Sequence, residues 1–274
     1  MNLDRICRAW DRAGNHSDSF PDSLLERVGE LLAERLEEIR SQPETILDLG
    51  CRNGLFWRQL QPTGKTKRRI VSTTLTSNSA LRTMQGGLWQ KIWRKRPEVI
   101  CAHPLSLPFA NQTFDAVVSN MMLHWINDRR EAFKEIRRVL KSNGVLLFSI
   151  PGENTLTELR QSLAELDLQR DNRTWPHLLT LPSLQDLGDE LLTLGFRLPV
   201  VDREVIHPTF NNVWTLLKHL RALGSCNPWE ERKNTLTGKQ YFSDLQDLYL
   251  ARHHSANHAL TATVEILFGH GWRD

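Results

Sequence analysis

Thr45 to Phe56 reads TILDLGCRNGLF. An apolar run ends in Asp48, Gly50 and Gly54 follow, and Arg52 stands where a ligand-binding turn most easily carries a third glycine. A short apolar run closed by a glycine turn predicts a buried strand running into a helix, here LFWRQL from Leu55 to Leu60. Glycines let backbone approach a ligand closely, and the helix start offers free N–H groups at the positive end of its dipole. Two glycines alone fit a structural strand-to-helix turn equally well. The surrounding chain has to decide between a working nucleotide pocket, an altered one and the remains of one.

Four further β-rich runs follow: RRIVSTTL from Arg68, EVICAHPL from Glu98, FDAVVSN from Phe114 and GVLLFSI from Gly144. Between the last two lies REAFKEIRRVLKSNG, a predicted helix from Arg130 with Gly144 near its C-terminal end. Strands separated by helices imply parallel pairing and a doubly wound, mostly parallel α/β sheet. Ahead of this core, Ser23–Ile39 repeats apolar residues at three- and four-residue spacing and reads as an amphipathic helix. Beyond Pro151 come helices over Glu153–Arg170, Leu184–Phe196 (closed by Gly195) and Val213–Gly224, with a strand from Arg197 to His207. Residues 1–44 read as an N-terminal helical lid segment and 45–152 as a cofactor-binding core. Residues 153–274 then form a helical substrate lid and C-terminal strands completing the same domain.

With 274 residues, 40% of them apolar, the chain can bury a substantial core. No run reaches the roughly 18 apolar residues of a membrane span, and MNLDRICRAWDRAG has no signal-peptide character, so a cytoplasmic location is expected. The four cysteines form no CxxC pair and read as buried free thiols, and no histidine spacing indicates a metal site. The net charge is only +3, but Leu49–Pro97 holds eleven Lys or Arg residues and no acid. Lys65, Lys67, Arg68, Arg69, Arg94, Lys95 and Arg96 therefore read as a basic face, either simply solvated or a docking patch for an acidic partner such as a carrier protein. Trp57, Trp89 and Trp93 lie in this region, yet no RNA-binding signature accompanies them.

The core, with Leu107–Gly152 downstream of the glycine turn, resembles a class I S-adenosylmethionine-dependent methyltransferase of Rossmann-like fold. WDRAG (Trp10–Gly14), LHWINDRREAF, GENTLTELRQSL, LQDLGDELLTLGF and LLKHLRALGSCN resemble, in order, segments of the malonyl-acyl carrier protein O-methyltransferases of biotin synthesis. The mitochondrial complex I assembly factors, a sister group associated with arginine hydroxylation, are similar over the same segments. The resemblance implies that Asp48, Gly50, Cys51, Gly54, Thr74, Leu75, His103, Asn120, Met121 and Met122 border the cofactor. It also places Ser17, His124, Trp125, Arg160 and His177 on the substrate side. Plain alternatives are packing for Trp125, an exposed helix arginine beside Glu158 for Arg160, and a loop histidine for His177.

Four positions depart from the family pattern. Arg52 replaces the middle glycine, Thr74 or Leu75 the acid that holds the ribose hydroxyls, His103 the Asp that meets the adenine amino group, and Ser17 a lid tyrosine. A lost charged hydrogen bond at a buried site costs about 1.5 to 3 kcal/mol. The implied function is methyl transfer to the free carboxylate of malonyl-acyl carrier protein. The alternatives are a non-catalytic binding or scaffold protein with a degenerate cofactor site, and an arginine hydroxylase like the sister group.

Overall fold

The computed structural model describes residues 2–13, 20–39, 42–51, 56, 59–60, 68–85, 98–233, 237–253 and 259–274, with backbone alone at 20–23 and 82–85. Five strands run parallel: β1 (Thr45–Leu49), β2 (Arg69–Thr74), β3 (Glu98–Cys101), β4 (Phe114–Asn120) and β5 (Leu140–Pro151). Then come β6 (Arg197–Ile206), the short pair β7 (Thr209–Phe210) and β8 (Leu260–Thr261), and β9 (Val264–Trp272). The main sheet has the order β3-β2-β1-β4-β5-β9-β6, with β9 antiparallel to both neighbours. The described helices are α1 (Leu3–Ala13), α2 (Phe20–Glu37), α3 (Ser77–Gln85), α4 (Arg129–Val139), α5 (Thr157–Asp171), α6 (Leu184–Thr193), α7 (Val213–Ala222) and α8 (Lys239–His253).

The central strands are apolar on both faces because helices cover both. Leu47, Leu49, Val71, Val117, Leu146 and Phe148 pack into one core with Trp10 of α1, Phe133 and Ile136 of α4, and Leu191 of α6. The residues between them in sequence, Ile46, Ile70, Ala116, Val118 and Leu147, join α2 through Leu24, Val28, Leu32 and Leu36. This is the two-residue period of a strand read from both sides. A third core belongs to α5, α7 and α8, built on Leu159, Leu166, Val213, Leu216, Leu245 and Tyr249. Local chemistry sets the helix starts: the Asp128 side chain accepts from the Glu131 N–H at 3.0 Å, and Ser183 and Asp186 cap α6 reciprocally.

The helix predicted over Arg130–Gly144 stops at Val139. Leu140 turns extended, and the β4–β5 register slips between Phe114↔Leu140 and Ala116↔Val145. Asn143 takes a positive φ of 58°, and the C-terminal Arg273 is bonded there by Asn143 N–H (2.9 Å) and to the Gly144 carbonyl (2.8 Å). Gly144 thus serves an irregular strand entry, not a helix end. Of the four cysteines only Cys51 is buried; Cys101 is exposed because it lies on β3, at the edge of the sheet. Among the described residues no helix is long and apolar enough to cross a membrane.

Gly269 of β9 marks a close approach over the sheet, since a Cβ there would fall 2.3 Å from Phe148 Cζ. Phe148 is wedged against Phe133, ring centroids 5.3 Å apart, and has nowhere to retreat. Gly269→Ala should cost about 1–3 kcal/mol, read as a lower urea midpoint. Gly188→Ala in α6, with nothing within 4 Å of the new methyl group, should instead be neutral or stabilising.

Candidate active site

The order of the sheet reverses at β1 and β4, and ligands of doubly wound sheets bind beyond the strand ends at such a point. Gly50 leaves β1 at a φ of +87°, and a Cβ on it would lie 2.2 Å from Met122 Cγ. Only glycine fits, for conformation and for space. The turn is held down on β2, whose Thr73 carbonyl accepts from Gly50 N–H at 3.1 Å and Cys51 N–H at 2.7 Å. Arg52 and Gly54 lie outside the described residues.

Asp48 is buried beneath this turn. Its carboxylate accepts from Ser72 Oγ at 2.9 Å and from the Cys51 side chain. Burial pushes its pKa up to about 7, the two hydrogen bonds offsetting part of the desolvation. At the exit of β2, Thr74 is fully buried with its hydroxyl unpartnered among the described residues, while Leu75 packs on the core. A carboxylate does reach this exit, from a different element. Asp11 of α1 accepts from Thr76 Oγ1 at 2.6 Å and Asn78 Nδ2 at 3.0 Å. At the exit of β3, His103 Nδ1 accepts from Leu105 N–H at 3.2 Å, and burial lowers its pKa. The ring is therefore neutral at pH 7 with its proton on Nε2.

Beyond β4, Asn120 is spent on structure: its Nδ2 donates to the Leu25 carbonyl (2.9 Å) and its Oδ1 accepts from Ser149 Oγ (3.0 Å). Met122 fills the core side of the crevice, whereas Met121, at φ 51°, turns into a cavity of about 500 Å³. His124 and Trp125, in a short 3-10 turn, line the same cavity, as do Arg160 of α5 and His177. Leu156, also at positive φ (59°), borders it. Two of the non-glycine residues held at positive φ thus border this cavity.

The walls are largely leucines, and Arg160, Arg221 and Arg232 enter without an acid among the described lining residues. Arg160 is half-buried and not the exposed helix arginine of the plain alternative. Its Nη2 donates to the Leu179 carbonyl at 3.0 Å, and burial lowers its pKa without discharging a guanidinium. Arg232 has a buried Nε with no partner among the described residues. His177 is braced by the buried Asp167 at 2.8 Å, which also accepts from Trp175 N–H and Tyr241 O–H, both at 3.0 Å.

Sequence reasoning missed Asp11, Arg221 and Arg232. The first two sit in segments that carried the family resemblance, WDRAG and LLKHLRALGSCN; no signal marked Arg232. The basic face needs correction at Arg68, whose side chain is buried at the entry of β2 and bonded to Glu37 and to the Leu60 carbonyl. Arg69 is exposed but ion-paired with Glu98 at 2.9 Å. Lys65, Lys67, Arg94, Lys95, Arg96 and Ser17 lie outside the described residues.

A family model described as a methyltransferase domain matches residues 47–148. In fold, the chain is similar to the YcgJ protein of Bacillus subtilis, with a TM-score of 0.63 at 14% identity over 90% of this chain and 98% of that one. The mitochondrial arginine-hydroxylase NDUFAF5 of Dictyostelium discoideum is 29% identical over 92% of this chain and 60% of its own length. The malonyl-acyl carrier protein O-methyltransferase of Methylovorus sp. strain MP688 is 33% identical over 98% of this chain and 88% of its own. With that identity over nearly the whole of both chains, added to a sheet order and a crevice of the expected kind, the protein belongs to the malonyl-acyl carrier protein O-methyltransferase family.

Proposed function

We propose that the protein transfers a methyl group from S-adenosylmethionine to the free carboxylate of malonyl-acyl carrier protein, the methylation used in biotin synthesis. The observation that carries this reading is the leucine-walled cavity beside the β1–β4 crevice, which admits three arginines and no described acid. Such a site selects an anionic group on an otherwise apolar substrate.

The cofactor fits the crevice residues. Asp48 faces the cationic amino-acid end, Gly50 and Cys51 give it close backbone, and Thr74 offers to the ribose side a buried hydroxyl with no partner among the described residues. Asp11 supplies at the β2 exit the carboxylate that Thr74 lacks, and neutral His103 presents Nε2–H toward the adenine side. When bound, S-adenosylmethionine supplies an electrophilic methyl group on its sulfonium. On the other side Arg160 binds and orients the substrate carboxylate, whose oxygen is already a nucleophile. No general base is required, so the protein's work is alignment and exclusion of water. Met121, His124 and Trp125 form the wall that keeps the carboxylate in line.

Arg160→Ala should raise KM for the malonyl substrate by about 10- to 100-fold through loss of a charged hydrogen bond, with affinity for S-adenosylhomocysteine unchanged. Product analysis of the carrier protein after incubation with S-adenosylmethionine tests the reaction itself. If no malonyl thioester, carrier-bound or free, gains a methyl group, the proposal is wrong.

Asp48 gives a signed pH dependence. A folded-state pKa of about 7, above the ordinary 3.8, means the folded chain holds more protons than the unfolded one between those values. Its contribution therefore makes stability fall as pH rises through that window and level off above it. A cationic ligand beside Asp48 favours the ionised form. Cofactor affinity should therefore rise about tenfold from pH 6 to pH 8, measured by calorimetric titration, and Asp48→Asn should flatten both profiles.

A further inference from the structure

A second concavity, of about 770 Å³, runs between α1 and α7. Arg12, Lys218 and Arg221 line it, small alanines floor it, and no Asp or Glu appears among its described lining residues. Arg12 Nε donates to the Arg8 carbonyl at 3.1 Å, and Arg12 has no ion pair among the described residues. Lys218 and Arg221 have no side-chain hydrogen bond or ion pair among the described residues. Three cations with no acid among the described lining residues of one groove form a focused positive field. The groove adjoins the substrate cavity, for Arg221, Ser225 and Cys226 line both. By contrast, the described members of the basic stretch around β2 are already engaged, Arg68 by Glu37 and Arg69 by Glu98.

We propose that the α1–α7 groove is the docking entrance for an acidic acyl carrier protein. Arg12, Lys218 and Arg221 receive its acidic face and the phosphodiester of its thioester-bearing arm, while the arm passes Ser225 and Cys226 toward Arg160. This assignment rests on the methyl-transfer reading for its choice of partner. It accounts for a cationic groove lying beside an arginine-bearing cavity with lining residues in common, a layout suited to a substrate that is charged at its tip and again at its point of attachment.

The test compares wild type, Arg12→Glu/Lys218→Glu, and Lys65→Glu/Lys67→Glu as a control on the other basic stretch. Binding of malonyl-acyl carrier protein is measured by titration at low and high salt, alongside turnover of that substrate and of carrier-free malonyl-pantetheine. The groove pair should weaken carrier binding at least about tenfold, chiefly at low salt. It should raise KM for the carrier-borne substrate with kcat unchanged, and leave turnover of malonyl-pantetheine and the melting temperature as in wild type. Unchanged carrier affinity overturns the assignment, as does a loss confined to the Lys65/Lys67 variant. So does a sedimentation shift showing that Arg12 and Lys218 join two copies of this chain. A wild type that binds the carrier through these two residues yet transfers no methyl group supports the groove and sinks the reaction. One that methylates malonyl-pantetheine but binds no carrier sinks the groove alone.

Discussion

The site is organised by the close approach of two strand exits, Gly50 after β1 and Met122 after β4. With 2.2 Å between a hypothetical Gly50 Cβ and Met122 Cγ, any side chain at Gly50 drives the two exits apart. The contact also sorts the residues around it. Met122 is pressed inward, and Met121 is turned outward at positive φ, its N–H held by the Ser149 carbonyl at 3.0 Å. Asp48, Thr74 and His103 then fall at the exits of β1, β2 and β3, and His124, Trp125 and Arg160 along the leucine-walled cavity. Next to Met121, Asn120 ties the end of β4 to α2 and β5 through two part-buried hydrogen bonds.

Charge follows the same division. Two carboxylates, Asp48 and Asp11, stand on the side where a cationic donor is proposed, and three arginines on the side of an anionic acceptor. Transfer of a methyl group from a sulfonium to a carboxylate cancels one charge of each sign, so the transition state is less charged than the reactants. A leucine-walled cavity disfavours the separated charges more than that transition state. Arg160, bonded once to a backbone carbonyl, can hold the acceptor without an acid beside it to neutralise the guanidinium.

The fold was legible because β1, β2, β4 and β5 are apolar on both faces and punctuated by glycine or polar turns, the pattern of buried parallel strands. Gly144 misled because a glycine after a basic helix end resembles a helix stop, whereas here it serves the register slip that lets Arg273 bond the start of β5. Arg68 misled because charge along a sequence does not say which side of a strand a residue enters. At the site, residues on strand exits were placed by order alone. Asp11 and Arg232 were not, because they reach it from a helix and a loop distant in sequence, and only the packing of α1 and of the segment after α7 brings them in. The absence of a local acid from Leu49 to Pro97 suggested a degraded crevice, yet Asp11 crosses from α1 to the very exit that lacks one.

That crossing makes α1 more than a cover for the sheet. Ile6 and Trp10 anchor it in the main core, so its registry is fixed by about 1.5–3 kcal/mol of apolar burial for each large side chain. From that fixed position consecutive residues point to different tasks. Asp11 bonds Thr76 and Asn78 at the crevice, and Arg12 lines the groove against α7. The chain thereby links the proposed cofactor side and the proposed carrier side through one helical turn. The Asp11 carboxylate places a negative charge at the crevice, and its position depends on how α1 is seated against α7.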